Sequence, residues 1–116
     1  MSAKVIGAAQ TVSTTLGCGF LEKVYENALA VELRRLGLPV VQQCEIMVRY
    51  RDEIVGHYLA DLVVGGQLIV ELKAARDLDS THAAQCINYL RASGLPLCLL
   101  MNFSRPRLDV RRIINA

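Results

Sequence analysis

The sequence has no apolar run long enough to cross a bilayer. Its longest strongly apolar stretch, 95–101, is interrupted by Pro96 and falls far short of the roughly 20 residues that a spanning helix needs. The opening Met-Ser-Ala-Lys-Val-Ile-Gly lacks an apolar h-region, so no secretory signal and no membrane partner are expected, and the cytoplasm is the expected compartment. None of the four cysteines (Cys18, Cys44, Cys86, Cys98) forms a C-x-x-C pair. That spacing argues against a local zinc knuckle, and reduced, mostly buried thiols are expected. A net charge of +2 is too small to announce nucleic-acid binding by itself. No repeat, low-complexity tract or linker divides the 116 residues, so one domain over 1–116 is expected. An apolar fraction of 53% against 21% charged excludes disorder. A chain of this length buries about two thirds of its unfolded surface and needs no disulfide or structural metal to fold.

Val5, Ile6, Ala9, Val12 and Leu16 recur at helical spacing and predict a helix over 3–16, broken at Gly17-Cys18-Gly19. A second helix over 20–36 carries Leu21, Val24, Tyr25, Ala28, Leu29 and Leu36, with Gly37 as its C-terminal cap and Pro39 beyond. Alternation predicts a strand over 44–50, a turn at Arg51-Asp52-Glu53, and a second strand over 54–64 with Gly56 at a bulge. After the turn at Gly65-Gly66 comes a strand over 68–73, then a helix over 81–92 capped by Asp79 or Ser80 and ended by Gly94. The continuous apolar run 97–103 predicts a strand covered on both faces, and 108–114 a peripheral one. The order ααβββαββ makes an α/β domain, a mixed sheet flanked by helices.

The hairpin holds three ionisable residues where apolar ones are expected: Asp61 in Ala60-Asp61-Leu62, and Glu71 and Lys73 in Val70-Glu71-Leu72-Lys73. Such residues are almost never fully buried unless paired. A two-residue loop would set Asp61 opposite Val70, on the face opposite Glu71. A three-residue loop, Gly65-Gly66-Gln67, pairs Val64 with Leu68 and Asp61 with Glu71. In that register Ala60, Leu62, Val64, Leu68, Val70 and Leu72 form a wholly apolar face, while Asp61, Glu71 and Lys73 gather on the other. A one-residue slip swaps faces, so the apolar pattern selects the second register. Two carboxylates brought together repel unless a proton or cation sits between them. Oxygen ligands of this kind suit Mg²⁺ or Mn²⁺, and a lysine beside them can hold a water or a phosphate oxygen. Metal, activated water and lysine together suit phosphodiester hydrolysis. These three residues alone support a structural ion-pair cluster equally well.

The segment Gly19-Phe20-Leu21-Glu22-Lys23-Val24-Tyr25 resembles the signature of the GxxExxY proteins, a branch of the PD-(D/E)XK nuclease superfamily. The resemblance continues through Ala60-Asp61-Leu62, Val70-Glu71-Leu72-Lys73-Ala74 and His82-Ala83-Ala84-Gln85-Cys86-Ile87-Asn88-Tyr89-Leu90, nearly the whole chain in order. It implies a restriction-endonuclease-like core and a Mg²⁺- or Mn²⁺-dependent nuclease acting on nucleic acid, DNA or RNA. By the same resemblance Asp61 and Glu71 are the metal-binding acids, the Leu72 carbonyl a further ligand, and Glu22 an additional helix-borne acid. Lys73 is implied as the catalytic lysine, and Gln85 with Tyr89 as a Q-x-x-x-Y element that orients Lys73 or the substrate phosphate. Tyr25 is a candidate substrate contact by its place in the signature, although its spacing reads as a core aromatic. Cys18 and Ser13 stand where members often carry Pro and His, and Ala60-Asp61 replaces the literal Pro-Asp.

Arg105, Arg107, Arg111 and Arg112 make the one dense basic patch. It reads as a phosphate-contacting strand, with Arg105 and Arg107 as substrate contacts, or as an edge guarded by charge. His82, at the start of its helix, is expected to form hydrogen bonds there and not to bind metal. So small a domain has little surface for sequence readout, so structure- or end-directed cleavage is expected, or else a partner or second subunit that supplies specificity, and an apolar content of 53% points to a homodimer. Two rivals keep the fold without turnover: a nucleic-acid-binding module and a protein-interaction subunit.

Overall fold

The computed structural model describes residues 1–115. Its elements follow the expected order: α1 (Ser2–Leu16), α2 (Glu22–Arg35), β1 (Val40–Tyr50), β2 (Glu53–Val64), β3 (Leu68–Lys73), α3 (Ser80–Ser93), β4 (Leu97–Asn102) and β5 (Asp109–Ile114). The sheet runs β1-β2-β3-β4-β5. Neighbours are antiparallel except β3 and β4, which α3 joins as a parallel crossover.

One face of the sheet carries α1 and α2. Val5, Ala8, Ala9 and Val12 of α1 and Tyr25, Leu29, Ala30 and Leu33 of α2 repeat at three and four, so each helix presents one apolar stripe. The stripes close over Leu62, Val64, Leu68, Val70, Leu72, Leu99 and Met101. The other face is covered by Cys86, Tyr89 and Leu90 of α3, packed on Ile46, Val63, Ile69, Cys98 and Leu100. β4 lies between both layers, which is why it is apolar from Leu97 to Met101.

Local chemistry ends the elements where expected. Gly37, at φ 76, lets Leu38 N–H reach the Leu33 carbonyl at 3.0 Å and its own N–H reach Arg34 at 2.9 Å, closing α2 with a left-handed cap. Asp79 caps α3: its carboxylate accepts the His82 N–H at 3.1 Å, and His82 Nδ1 accepts the Asp79 N–H at 3.2 Å. His82 is therefore spent on the helix end. The bulge lies beside Gly56. Val48 pairs with Gly56 and Arg49 with Ile54, leaving Val55 over, and a Cβ at Gly56 would sit 3.2 Å from that of Val48.

Two expectations are corrected. β1 begins at Val40, four residues before the expected strand, because Val40, Val41 and Gln42 pair with Val64, Val63 and Leu62 although Gln42-Gln43 breaks the apolar alternation. Ala60 also leaves the face of Leu62 and packs with Ile46 and α3. The phase of both strands changes at one level, where Gln43 has φ 50 and Asp61 lies between Leu62 and Ala60. Strict period-two alternation cannot survive a left-handed residue in mid-strand.

Candidate active site

The same level is where the sheet opens. Pairing of β2 with β3 follows the three-residue-loop register, with Val64 opposite Leu68, Val63 opposite Ile69 and Leu62 opposite Val70. It stops one pair short of Asp61 and Glu71. Beyond it β3 keeps its ladder with β4 through Lys73 opposite Asn102, while β2 stays with β1. A fork of this kind orphans the amides on its inner edges, and orphaned amides need acceptors. The carboxylates supply them. Glu71 Oε1 accepts the Asp61 N–H at 2.8 Å, and Asp61 Oδ2 accepts the Leu72 N–H at 2.9 Å. Each strand's acid thus caps the other strand's backbone, and the two side chains converge as the apolar pattern required.

The electrostatics are uncompensated. Glu71 is 2% exposed, and its burial, then the charge of Asp61, push its pKa up to about 9. Burial also raises Asp61, with the Glu26 charge adding to it, against the lowering effects of the Leu72 amide and Gln43. Lys73 compensates the pair only weakly: its charge is the smallest of the causes acting on each acid, and no ion pair within 4.0 Å joins it to either among the described residues. Its Nζ donates to Gln85 Oε1 at 3.0 Å, and Gln85 Nε2 donates to the Tyr89 hydroxyl at 3.0 Å. Burial and then the charges of Glu71 and Asp61 push the Tyr89 hydroxyl up to about 12, so it stays protonated. The ammonium is held beside the carboxylates and not on them, which a structural ion-pair cluster would not do.

The donor set fits a hard divalent cation. Each carboxylate spends one oxygen strongly on an amide and keeps the other, Glu71 Oε2 free and Asp61 Oδ1 under a long 3.4 Å bond from Gln43. Two such oxygens and waters suit Mg²⁺ or Mn²⁺, which keep much of their hydration. No group of three or more His, Cys, Asp or Glu side chains forms a closed metal cage among the described residues.

Glu22 is not brought to this site. It lies exposed in the first turn of α2 and makes no hydrogen bond or ion pair among the described residues. The acid that α2 does supply is Glu26, one turn on and 3% exposed. Its carboxylate accepts from Gln42 and Gln43 at 2.8 Å and from Lys23 at 2.9 Å, and Gln43 links it to Asp61. Neither Glu26 nor Gln43 emerged from the sequence, yet a signal was there: Glu26 interrupts the apolar stripe of Leu29, Ala30 and Leu33, as Asp61 interrupts its strand. Tyr25 is corrected as well. It is 0% exposed, stacks on Phe103 at 4.8 Å, and gives its hydroxyl to the Gly17 carbonyl at 2.6 Å while accepting the Phe20 N–H. No surface of it is left for a substrate. Arg105 is exposed but ion-paired to Asp77 and bonded to the Arg76 carbonyl, and Arg107 is exposed with neither kind of contact among the described residues.

No curated protein matches the sequence. Among solved structures, SSO0001 superposes with a TM-score of 0.60 at 15% identity over 80% of this chain, which spans about half (49%) of that protein. An alkaline exonuclease from Laribacter hongkongensis superposes with a TM-score of 0.59 at 14% identity, covering 100% of this chain and 71% of its own. These likenesses establish the fold, a five-stranded mixed sheet of restriction-endonuclease type. The family model for the PD-(D/E)XK nuclease superfamily, whose nucleases use divalent metal ions, matches residues 1–113, and the chain belongs to that superfamily.

Proposed function

We propose that this chain is a Mg²⁺- or Mn²⁺-dependent nuclease that hydrolyses phosphodiester bonds in nucleic acid, DNA in the first place and RNA as the alternative. The resemblance of Gly19–Tyr25 to the GxxExxY signature supports assigning it to that branch of the superfamily, as one catalytic domain over 1–116. The observation that carries the reading is the fork: a buried carboxylate, Glu71, and a half-buried one, Asp61, converge where β2 and β3 part, and the nearby lysine forms no ion pair with either among the described residues.

Asp61 and Glu71 would hold the cation, with the Leu72 carbonyl as a further ligand. When bound, such a cation neutralises phosphate charge and lowers the pKa of a water. Lys73, tethered by its neutral partner Gln85, keeps two further N–H donors for the attacking water or a phosphate oxygen. Gln85 is a positioning residue, its own orientation fixed by the Tyr89 hydroxyl. Glu26 and Gln43 act one step further back by fixing Asp61. Val41, Tyr50, Ile54 and Val55 are exposed along β1 and β2, apolar surface that supports the expected homodimer.

The test is cleavage of single-stranded, duplex and branched substrates with Mg²⁺ or Mn²⁺ against chelator. Asp61→Ala with Glu71→Ala, and separately Lys73→Ala, should abolish product. Substrate left intact by folded, metal-loaded protein would refute the reading in favour of a binding module.

A further inference from the structure

Three of the four arginines near the C-terminus are occupied by the protein itself. Arg105 pairs with Asp77, Arg111 reaches the Leu78 carbonyl at 3.4 Å and Asp109 at 4.0 Å, and Arg112 donates to Ser2 Oγ at 3.2 Å. Arg107 has no such partner among the described residues. It lines an open cleft of about 370 Å³ between α1 and the β4–β5 loop, together with Gln10, Ser13, Thr14, Pro106 and Leu108. Ser13 is 7% exposed, and its hydroxyl, which makes no hydrogen bond within the protein among the described residues, is open to the cleft and not buried as an orphan. A helical hydroxyl normally returns to a carbonyl one turn back, as Thr11 does to Gly7 at 3.2 Å. The hydroxyl of Thr14 and the amide of Gln10, both exposed, make no hydrogen bond among the described residues. No carboxylate lines the cleft, and α1 carries no acidic residue.

A guanidinium, two hydroxyls and an amide, all free and with no acid among them, match the acceptor-only oxygens of a phosphate group. We propose that this cleft binds a phosphodiester of the nucleic-acid substrate away from the scissile one, with Arg107 and Ser13 as its principal donors. The inference rests on the nuclease reading for its ligand. The position suits the role. The loop that carries Arg107 leaves β4 through Phe103, whose N–H bonds the Lys73 carbonyl at 2.9 Å. The cleft therefore sits at the sheet end where β3 delivers Lys73, on the α1 side. A strand held there rounds the end of β3 toward the fork, and its backbone sets which bond is presented.

Binding of labelled single-stranded and duplex oligonucleotides to Lys73→Ala protein with Mn²⁺, across a salt series, tests this. Arg107→Ala should weaken binding about tenfold or more and reduce the salt slope by about one. Ser13→Ala should weaken it about three- to tenfold. Arg91→Ala, an exposed charge on α3, is the control and should stay within about twofold. Binding by Arg107→Ala and Ser13→Ala equal to that of the control would overturn the inference, even if wild-type protein cleaves. Arg107-dependent binding by a wild type that never cleaves would keep the inference and overturn the nuclease reading. Failure of any oligonucleotide to bind would overturn the inference outright.

Discussion

Replacing Glu71 with Gln should make the metal-free protein more stable and at the same time inactive. The amide oxygen of Gln can still accept the Asp61 N–H that Glu71 Oε1 holds at 2.8 Å, so the fork keeps its bridge and loses only its ionisable group. The Glu71 pKa rises from an ordinary 4.5 to about 9 on folding. A raised acid costs nothing below about pH 4.5, where both states are protonated. The cost grows as pH climbs through the window between the two values and is constant above about 9. At about pH 7.5 three of those pH units have been crossed, which sets a ceiling of about 4 kcal/mol at 1.36 kcal/mol per unit. At about pH 5 the same relation gives less than about 1 kcal/mol. Local opening of the fork relieves part of the strain, so a gain of about 1–3 kcal/mol is expected near pH 7.5. That is a rise in Tm of roughly 4–12 °C for a domain of this size. Thermal melts in chelator at both pH values read it directly. Equal shifts at the two pH values, or a lower Tm for Glu71→Gln near pH 7.5, would refute the electrostatic account of the site.

The remaining predictions use the same protein. Mn²⁺ should raise the wild-type Tm by mass action, by about 3 kcal/mol of stabilisation at a hundredfold excess over Kd, and Asp61→Ala with Glu71→Ala should abolish that response in calorimetry. Tyr89→Phe removes the anchor of Gln85 and should lower kcat more than KM while leaving the metal-induced shift intact, since it touches neither carboxylate. Tyr25→Phe should cost about 1–3 kcal/mol in denaturant melts by leaving the Gly17 carbonyl and the Phe20 N–H without their partner. Asp79→Ala should cost about 1 kcal/mol in the same assay by uncapping α3.

The hairpin was legible because a period of two leaves little choice. Once Leu62, Val64, Leu68, Val70 and Leu72 had to share a face, the loop length and the meeting of Asp61 with Glu71 followed. The cap at Asp79 and the bulge at Gly56 were legible for a similar reason, since each rests on a local conformation that few residues supply. What alternation concealed is the place where it fails. Gln42-Gln43 reads as a polar interruption before a strand, whereas in the folded chain it lies within β1 and turns both strands over at the level of Asp61. The signature points to Glu22 and leaves Glu26 unmarked. Which acid reaches the fork depends on how α2 sits on the sheet, and no sequence spacing encodes that placement.

The separation of Lys73 from the acids is the most informative departure from ordinary structural economy. A direct pair with Glu71 would lower the cost of burying that carboxylate, and the two residues lie on one strand two positions apart. Gln85 prevents this by taking the ammonium at 3.0 Å while offering no negative charge in return. The lysine is left without an acidic partner, and no direct ion pair relieves the burial that raises both acids. A site that had paired them internally would have to break that pair before admitting a cation, and would lose affinity by its strength. The neutral tether leaves both groups unpaired, the two carboxyl groups for a divalent ion that would displace the Glu71 proton and the ammonium for the phosphate drawn to it. Gln85→Glu would undo this by giving Lys73 a charged partner. It should preserve the fold and the metal-induced rise in Tm yet lower kcat, because the ammonium is then committed to Glu at position 85. Full activity in that variant would show that the neutrality of the tether has no part in the chemistry.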